Sequence, residues 1–218
     1  MDNQSFNADH QQALFDIMRH RRDVRGNNFT STPIPQDVIN TILEAATLAP
    51  SVGFSQPWEF VMVTDPHIKT QIRDSFNKAN AQGQAQFLDA KQEQYKQLKL
   101  EGIMEAPVNI AVFYKPSSKP VLGQNTMKEM GEYSVVCAIQ NMWLSARSLN
   151  VGMGWVSILC PHTVKRLLKA PEECKLVGYL CLGYVKTFYD SPELERLRWE
   201  KRKHLEQAVH TNAFPTAD

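Results

Sequence analysis

MKEMGEYSVVCAIQNMWLSARSLNVGMGWVSIL, residues 127–159, is the stretch on which the fold turns. Its first part, 127–149, reads as one helix. Met130, Tyr133, Ser134, Val136, Cys137, Ile139, Met142, Trp143, Leu144 and Ala146 spread around most of the circumference. A helix apolar nearly all round has to be covered on more than one side. In a chain of 218 residues that predicts a central helix shared with a second copy, with burial wholly inside one subunit as the other solution. A turn and strand follow at 152–159. Gly152 and Gly154 allow a close approach there, and Ser157 puts a hydroxyl on the strand, which serves a ligand or a satisfied core equally well.

Working outward, Val108–Tyr114 and 176–184 are apolar runs of strand length, and 58–64 is a third. Leu14, Ile17, Met18 and Arg21 keep helical spacing, and Gly26-Asn27-Asn28 reads as a turn. A second helix carries Val38, Ile39, Ile42, Leu43 and Ala46 and stops near Ala49, because Pro50 disfavours helical backbone before it. Asp65-Pro66 caps a third, with Ile68, Ile72 and Phe76, and Pro161 starts another. Residues 80–104 are rich in Gln and Lys and sparsely apolar (Phe87, Leu88, Tyr95, Leu98, Leu100). They are expected to be helical and weakly anchored, as a lid or a dimer-wrapping arm, or else a solvated helix without a role. The tail from Pro192 is expected to be charged and helical, with Arg196, Arg198, Lys201, Arg202 and Lys203. The order predicts one α+β domain over 1–218, helices flanking a small sheet.

Composition removes several functions. The 24 basic and 23 acidic residues leave a formal net charge of +1, against a nucleic-acid or polybasic membrane binder. The chain is 43% hydrophobic and 22% charged, enough for a real core. No apolar run approaches the ~20 residues of a membrane helix. The opening MDNQSFNADHQQ lacks a signal-peptide pattern, so a cytoplasmic location is expected. Cys137, Cys160, Cys174 and Cys181 form no close pair, and the six histidines form no ligand pattern, so no metal is expected. GxGxxG, GxxxxGK[ST], GxSxG and HExxH are all missing.

Polar loops remain. Arg21, Arg22 and Arg25 surround Asp23; three guanidinium forks suit a phosphate, though taken alone they equally describe a surface patch. Ser51, Gly53, Ser55 and Gln56 offer small groups and backbone N–H donors to a planar ligand, or simply connect a helix to a strand.

RRDVR (21–25), APSVGFSQPWEFVMV (49–63), YSVVCAIQNMWLSARSLNVGMGWVSIL (133–159), GYLCLGY (178–184) and PELERLRWEKR (192–202) together resemble the BluB type of the nitroreductase-like flavoprotein superfamily, the 5,6-dimethylbenzimidazole synthases. The resemblance spans about residues 14–202, and the LKLEG of the arm (98–102) adds to it. General nitroreductases carry an RRSxR-type first motif and an Asn in the PSxxNxQPW-type loop. Here Asp23 stands in the first, and the second reads Gly53-Phe54-Ser55-Gln56. Asp23 and the GWVSI segment (154–158) separate the BluB type from the rest.

The resemblance implies a homodimer of nitroreductase-like subunits, each with a small mixed β-sheet flanked by helices, and FMN at the dimer interface. It implies that reduced FMN, supplied by a separate reductase, is itself the substrate. Dioxygen attacks it, and 5,6-dimethylbenzimidazole, the lower ligand of cobalamin, and erythrose 4-phosphate are released. Arg21, Arg22 and Arg25 would hold the phosphate and ribityl side, with Asp23 and Val24 of the same motif among the flavin contacts. Ser51 and Gly53 would line the flavin, and Lys99 would reach in from the arm. Ser157 would sit over the isoalloxazine, and Arg202 is a secondary phosphate candidate. Asp23 and Ser157 would be the catalytic pair. Asp23 is the only carboxylate in these loops, and the flanking arginines should keep it ionised, as a base. An NAD(P)H-dependent nitroreductase or flavin reductase, and a non-enzymatic flavin carrier, are the competing readings.

Overall fold

The computed structural model describes residues 3–215; the first two and last three residues of the domain expected over 1–218 lie outside them. Four strands, β1 (Trp58–Val63), β2 (Val108–Tyr114), β3 (Val151–Val156) and β4 (Lys175–Tyr184), form one sheet in the order β1-β2-β4-β3. Each neighbouring pair is antiparallel, with Trp58 opposite Tyr114, Val108 opposite Leu182 and Val151 opposite Tyr184. The parallel element of the expected mixed sheet is a single bridge between Asp23 and Met153.

Both faces of the sheet are buried, which is why β2 and β4 are apolar without alternation. Ile110, Val112, Leu180 and Leu182 pack on one face against Ile42 and Ala46 of α2 (Gln36–Thr47) and Val135, Ile139 and Met142 of α5 (Met130–Ser148). Ala111, Phe113, Tyr179 and Cys181 face the other side. They meet Ile72 and Phe76 of α3 (Pro66–Gln84), Val164 of α6 (Pro161–Leu167), and Ile103. Odd and even positions separate cleanly because successive strand side chains point to opposite faces.

α5 starts three residues later than the sequence pattern suggests, and its apolar circumference is only partly used. Its inner positions are buried, but Tyr133, Val136, Cys137 and Gln140 form an exposed stripe. Beside it, α1 (Ala8–His20) buries no residue and leaves Leu14, Phe15 and Met18 exposed. No helix among the described residues is long and apolar enough to cross a membrane.

The arm and the tail depart from expectation. Residues 80–104 are not one helix: α3 ends at Gln84, Asp89 adopts a left-handed φ of 48°, α4 runs Asp89–Lys96, and the segment beyond is irregular. Among its described residues the tail holds only the single turn α7 (Glu193–Arg196) and a 3-10 turn at Leu205–Gln207. Arg198 takes a left-handed φ of 58°, so the Trp199 N–H reaches back to Leu194 O at 2.8 Å and closes the helix. That reversal delivers Trp199 to the arm. Its ring lies 5.1 Å from Phe87 and 6.0 Å from Tyr95, with the Lys91 ammonium 3.8 Å above it. Lys91 Nζ also donates to Trp199 O at 2.8 Å, and Gln94 Nε2 to Leu197 O at 2.6 Å. Arm and tail are thus one packed unit.

Candidate active site

RRDVR leaves α1 as an extended segment laid beside β3. Val24 N–H donates to Met153 O at 3.1 Å, and the Val24 side chain is buried in the core. The close approach expected at Gly154 is made here by the chain itself: a Cβ on Gly154 would stand 2.1 Å from Val24 O. Gly154 therefore sets how near Asp23 comes to the strand.

Asp23 is held from two sides. Its Oδ1 accepts the Trp155 N–H at 3.1 Å, and its Oδ2 pairs with the Arg25 guanidinium. Arg25 in turn donates through Nη1 to Trp155 O at 3.2 Å, which fixes its plane. Burial pushes the Asp23 carboxyl above the ordinary carboxylate value; Arg25, the Trp155 N–H and Arg21 pull the other way and do not overcome it. This corrects the expectation that the arginines win.

Asp23 and Arg25 line a cavity of about 110 Å³. Leu98 and Lys99 of the arm and Glu193 and Leu197 of the tail close it. Lys99 is therefore brought to Asp23, and Glu193 adds a second carboxylate that sequence reading placed in no functional loop. Lys99 is tied to Glu101 at 2.9 Å and Glu105 at 3.1 Å; LKLEG contains the first acid but not the second, and no sequence spacing marks either as a partner of the lysine.

The remaining arginines divide their work. Arg22 is buried and donates to main-chain carbonyls: Tyr189 at 2.7 Å, Arg19 at 2.7 Å, Arg21 at 2.6 Å, and Asp190. It fastens the end of α1 to the segment leading into the tail. Arg21 lies 4.5 Å from the ring centre of Trp143, whose Nε1–H donates to Arg22 O at 3.2 Å. Burial lowers the Arg21 pKa, Asp23 opposes this, and Arg202 adds to it. Burial also lowers Arg22, with Arg21, Arg202 and Arg147 adding repulsion. A cleft of about 480 Å³ beside them is lined by Arg19, Arg22 and Arg202, by the acids Asp190 and Glu195, and by Phe15 and Met18. Such crowding of cations is relieved by an anion with several oxygens.

Ser157 is exposed just beyond the end of β3, two residues past the Trp155 that Asp23 meets. Ser51 and Gly53 lie elsewhere. Ser51 Oγ accepts the Gln56 N–H at 3.0 Å, and Gly53, at φ +54°, passes so close to residue 122 that a Cβ would stand 2.7 Å from Leu122 O. Val52 N–H anchors this loop to Ser134 Oγ at 3.0 Å. Ser134 and Trp143, the anchors of the two loops on α5, are about 14 Å apart along the axis at ~1.5 Å per residue. Within one chain the Ser51 loop lines neither the Asp23 cavity nor the arginine cleft.

Among known proteins, the nitroreductase family model matches residues 18–184. A 5,6-dimethylbenzimidazole synthase of Rhodospirillum rubrum is 43% identical over 91% of this chain and 94% of its own length. One from Rhodobacter capsulatus is 37% identical over 90% and 95%. Iodotyrosine deiodinase 1 of Rattus norvegicus is 30% identical over 92% of this chain and 70% of its own. Two solved structures share the fold: a BluB-like flavoprotein from Clostridium difficile, at TM-score 0.68 and 22% identity over 92% of this chain and 99% of that one; and an iodotyrosine deiodinase bound to FMN and 3-iodo-L-tyrosine, at TM-score 0.71 and 24% identity over 92% and 100%.

Proposed function

The chain belongs to the nitroreductase family and within it to the 5,6-dimethylbenzimidazole synthases, and from that premise we propose that it converts reduced FMN and dioxygen to 5,6-dimethylbenzimidazole, the lower ligand of cobalamin, and erythrose 4-phosphate, with the remaining pyrimidine carbons and nitrogens of the flavin leaving as a third fragment. The observation that carries the site assignment is Asp23, fixed between Arg25 and the Trp155 N–H on the wall of a cavity roofed by arm and tail.

The donor set fits a flavin mononucleotide. The guanidinium groups of Arg19 and Arg202 in the cleft, with Arg21 close enough to feel Arg202, suit its phosphate, and Arg22 holds the segment that shapes the cleft. Arg25 orients Asp23, and the backbone of Val24 sets its depth against β3. Reduced FMN supplies the electrons and the carbon skeleton of the product. Asp23 holds and moves the proton that carbon–carbon cleavage requires, Ser157 orients or relays it, and Lys99 contributes a cation from the arm. Arm and tail keep water out of the cavity.

A second copy of the chain completes this assignment. The exposed stripes on α1 and α5 are the faces it would cover, and the Ser51–Gly53 loop of that copy would line the flavin from the other side. The proposal places this single-domain homodimer in the cytosol, with a separate reductase delivering reduced FMN.

The test is direct. FMN is reduced anaerobically, protein is added, air is admitted, and products are separated by chromatography. Dimethylbenzimidazole is expected. FMN recovered intact with steady NAD(P)H oxidation would instead establish a reductase, and FMN released unchanged a carrier.

A further inference from the structure

We propose that Glu101 and Glu105 are positioning residues: they fix the Lys99 ammonium on the wall of the Asp23–Arg25 cavity, so that it meets the ligand as a permanent cation and hydrogen-bond donor. The inference rests on the flavin reading of that cavity.

Lys99 Nζ lies 2.9 Å from Glu101 Oε1 and 3.1 Å from Glu105 Oε1. An ammonium has three N–H donors. Two are engaged by the acids, and the third is left for the cavity that Lys99 lines. Both acids are themselves held. The Glu101 side chain is only 9% exposed, and its other oxygen accepts the Ile103 N–H at 2.7 Å. The Glu105 carboxylate lies over Gly26, where a Cβ would stand 2.6 Å from it. Gly26 N–H donates to Glu101 O at 2.8 Å, so the cluster is bound to the residue that follows Arg25. The other charged groups lining the cavity are Asp23 and Arg25 from the segment beside β3 and Glu193 from α7. Burial pulls the Lys99 ammonium down, but Glu101 and Glu105 outweigh it and hold it above the ordinary lysine value.

The test is the anaerobic binding of reduced FMN, followed by absorbance from pH 7 to 11.5, which is independent of product formation. Glu105→Gln should bind as the parent does at pH 7, and its alkaline limb should move to lower pH by about half a unit, the scale of a partly exposed ion pair. Gly26→Ala, which displaces the Glu105 carboxylate without touching Lys99, should shift the alkaline limb the same way. Lys99→Arg in the Glu105→Gln background should flatten it again, because a guanidinium stays charged. An unshifted limb in Glu105→Gln, or an equal shift with arginine at 99, overturns the inference. If the limb shifts but no dimethylbenzimidazole forms, the inference stands and the proposed function falls. If reduced FMN does not bind, both fall.

Discussion

Asp23→Asn keeps the size of the side chain and its acceptor for the Trp155 N–H, but removes the proton acceptor and turns an amide toward Arg25. Reduced FMN should still bind, and air should still oxidise it, while dimethylbenzimidazole formation falls at least ~10²-fold, the scale of a general base. A normal rate of product formation would leave Asp23 an ion-pair partner only. The upward shift of this carboxyl also predicts pH behaviour. Product formation by the parent should rise with pH through a pKa above the ordinary ~3.9. In the fold the protonated form is favoured, so that contribution to stability is full below the ordinary value and lost as pH rises through the folded one. Asp23→Asn should therefore melt no lower than the parent at pH 7, and any advantage should vanish near pH 4. Gly154→Ala belongs to the same contact. Its methyl would meet the backbone oxygen of Val24, which cannot swing aside as a side chain can. Denaturant titration should show a loss of about 1–3 kcal/mol, and FMN affinity should fall with it.

The packing of arm against tail can be tested through Trp199. Trp199→Ala removes two aromatic pairs at ~0.5–1.5 kcal/mol each and a cation–π contact of ~0.5–1 kcal/mol. Opening of the arm should become easier by about 2 kcal/mol, so α4 amides should exchange about thirtyfold faster while sheet amides stay protected. Equal rates in both proteins would show that arm and tail are not joined through this ring. These two segments are also where sequence reading stopped short. β2 coincides with the run from Val108 to Tyr114, because burial of both faces writes itself as an apolar run, interrupted here by Asn109, whose amide donates to Ile103 O and the Tyr179 hydroxyl. The arm and tail take their shape from Phe87, Tyr95 and Trp199 meeting across a long stretch of chain, which no local period records. The site divides likewise. RRDVR was visible as a cluster of charge, but Arg22 bonding to Tyr189 and the anchoring of Lys99 by Glu105 depend on tertiary contacts.

The exposed stripes of α1 and α5 are the faces through which the molecule should pair. Tyr133 is 51% exposed and Phe15 63%, unusual for large apolar side chains unless a partner covers them. Val136→Asp places a charge in the middle of the α5 stripe and should convert a dimer to monomers in sedimentation, with the subunit still folded. A parent that sediments as a monomer with full FMN affinity would refute the pairing. The small roofed cavity carries a kinetic consequence of its own. Sites for drug-sized ligands hold ~300–1,000 Å³, and about 110 Å³ lies beneath residues 98–100 and 192–197. On the proposed flavin reading the roof has to lift before entry, and the apparent affinity is then the intrinsic one scaled by the fraction of time the roof is raised. In stopped-flow mixing, the rate of flavin capture should level off at high flavin concentration, at the frequency of that lifting. Trp199→Ala should raise the plateau.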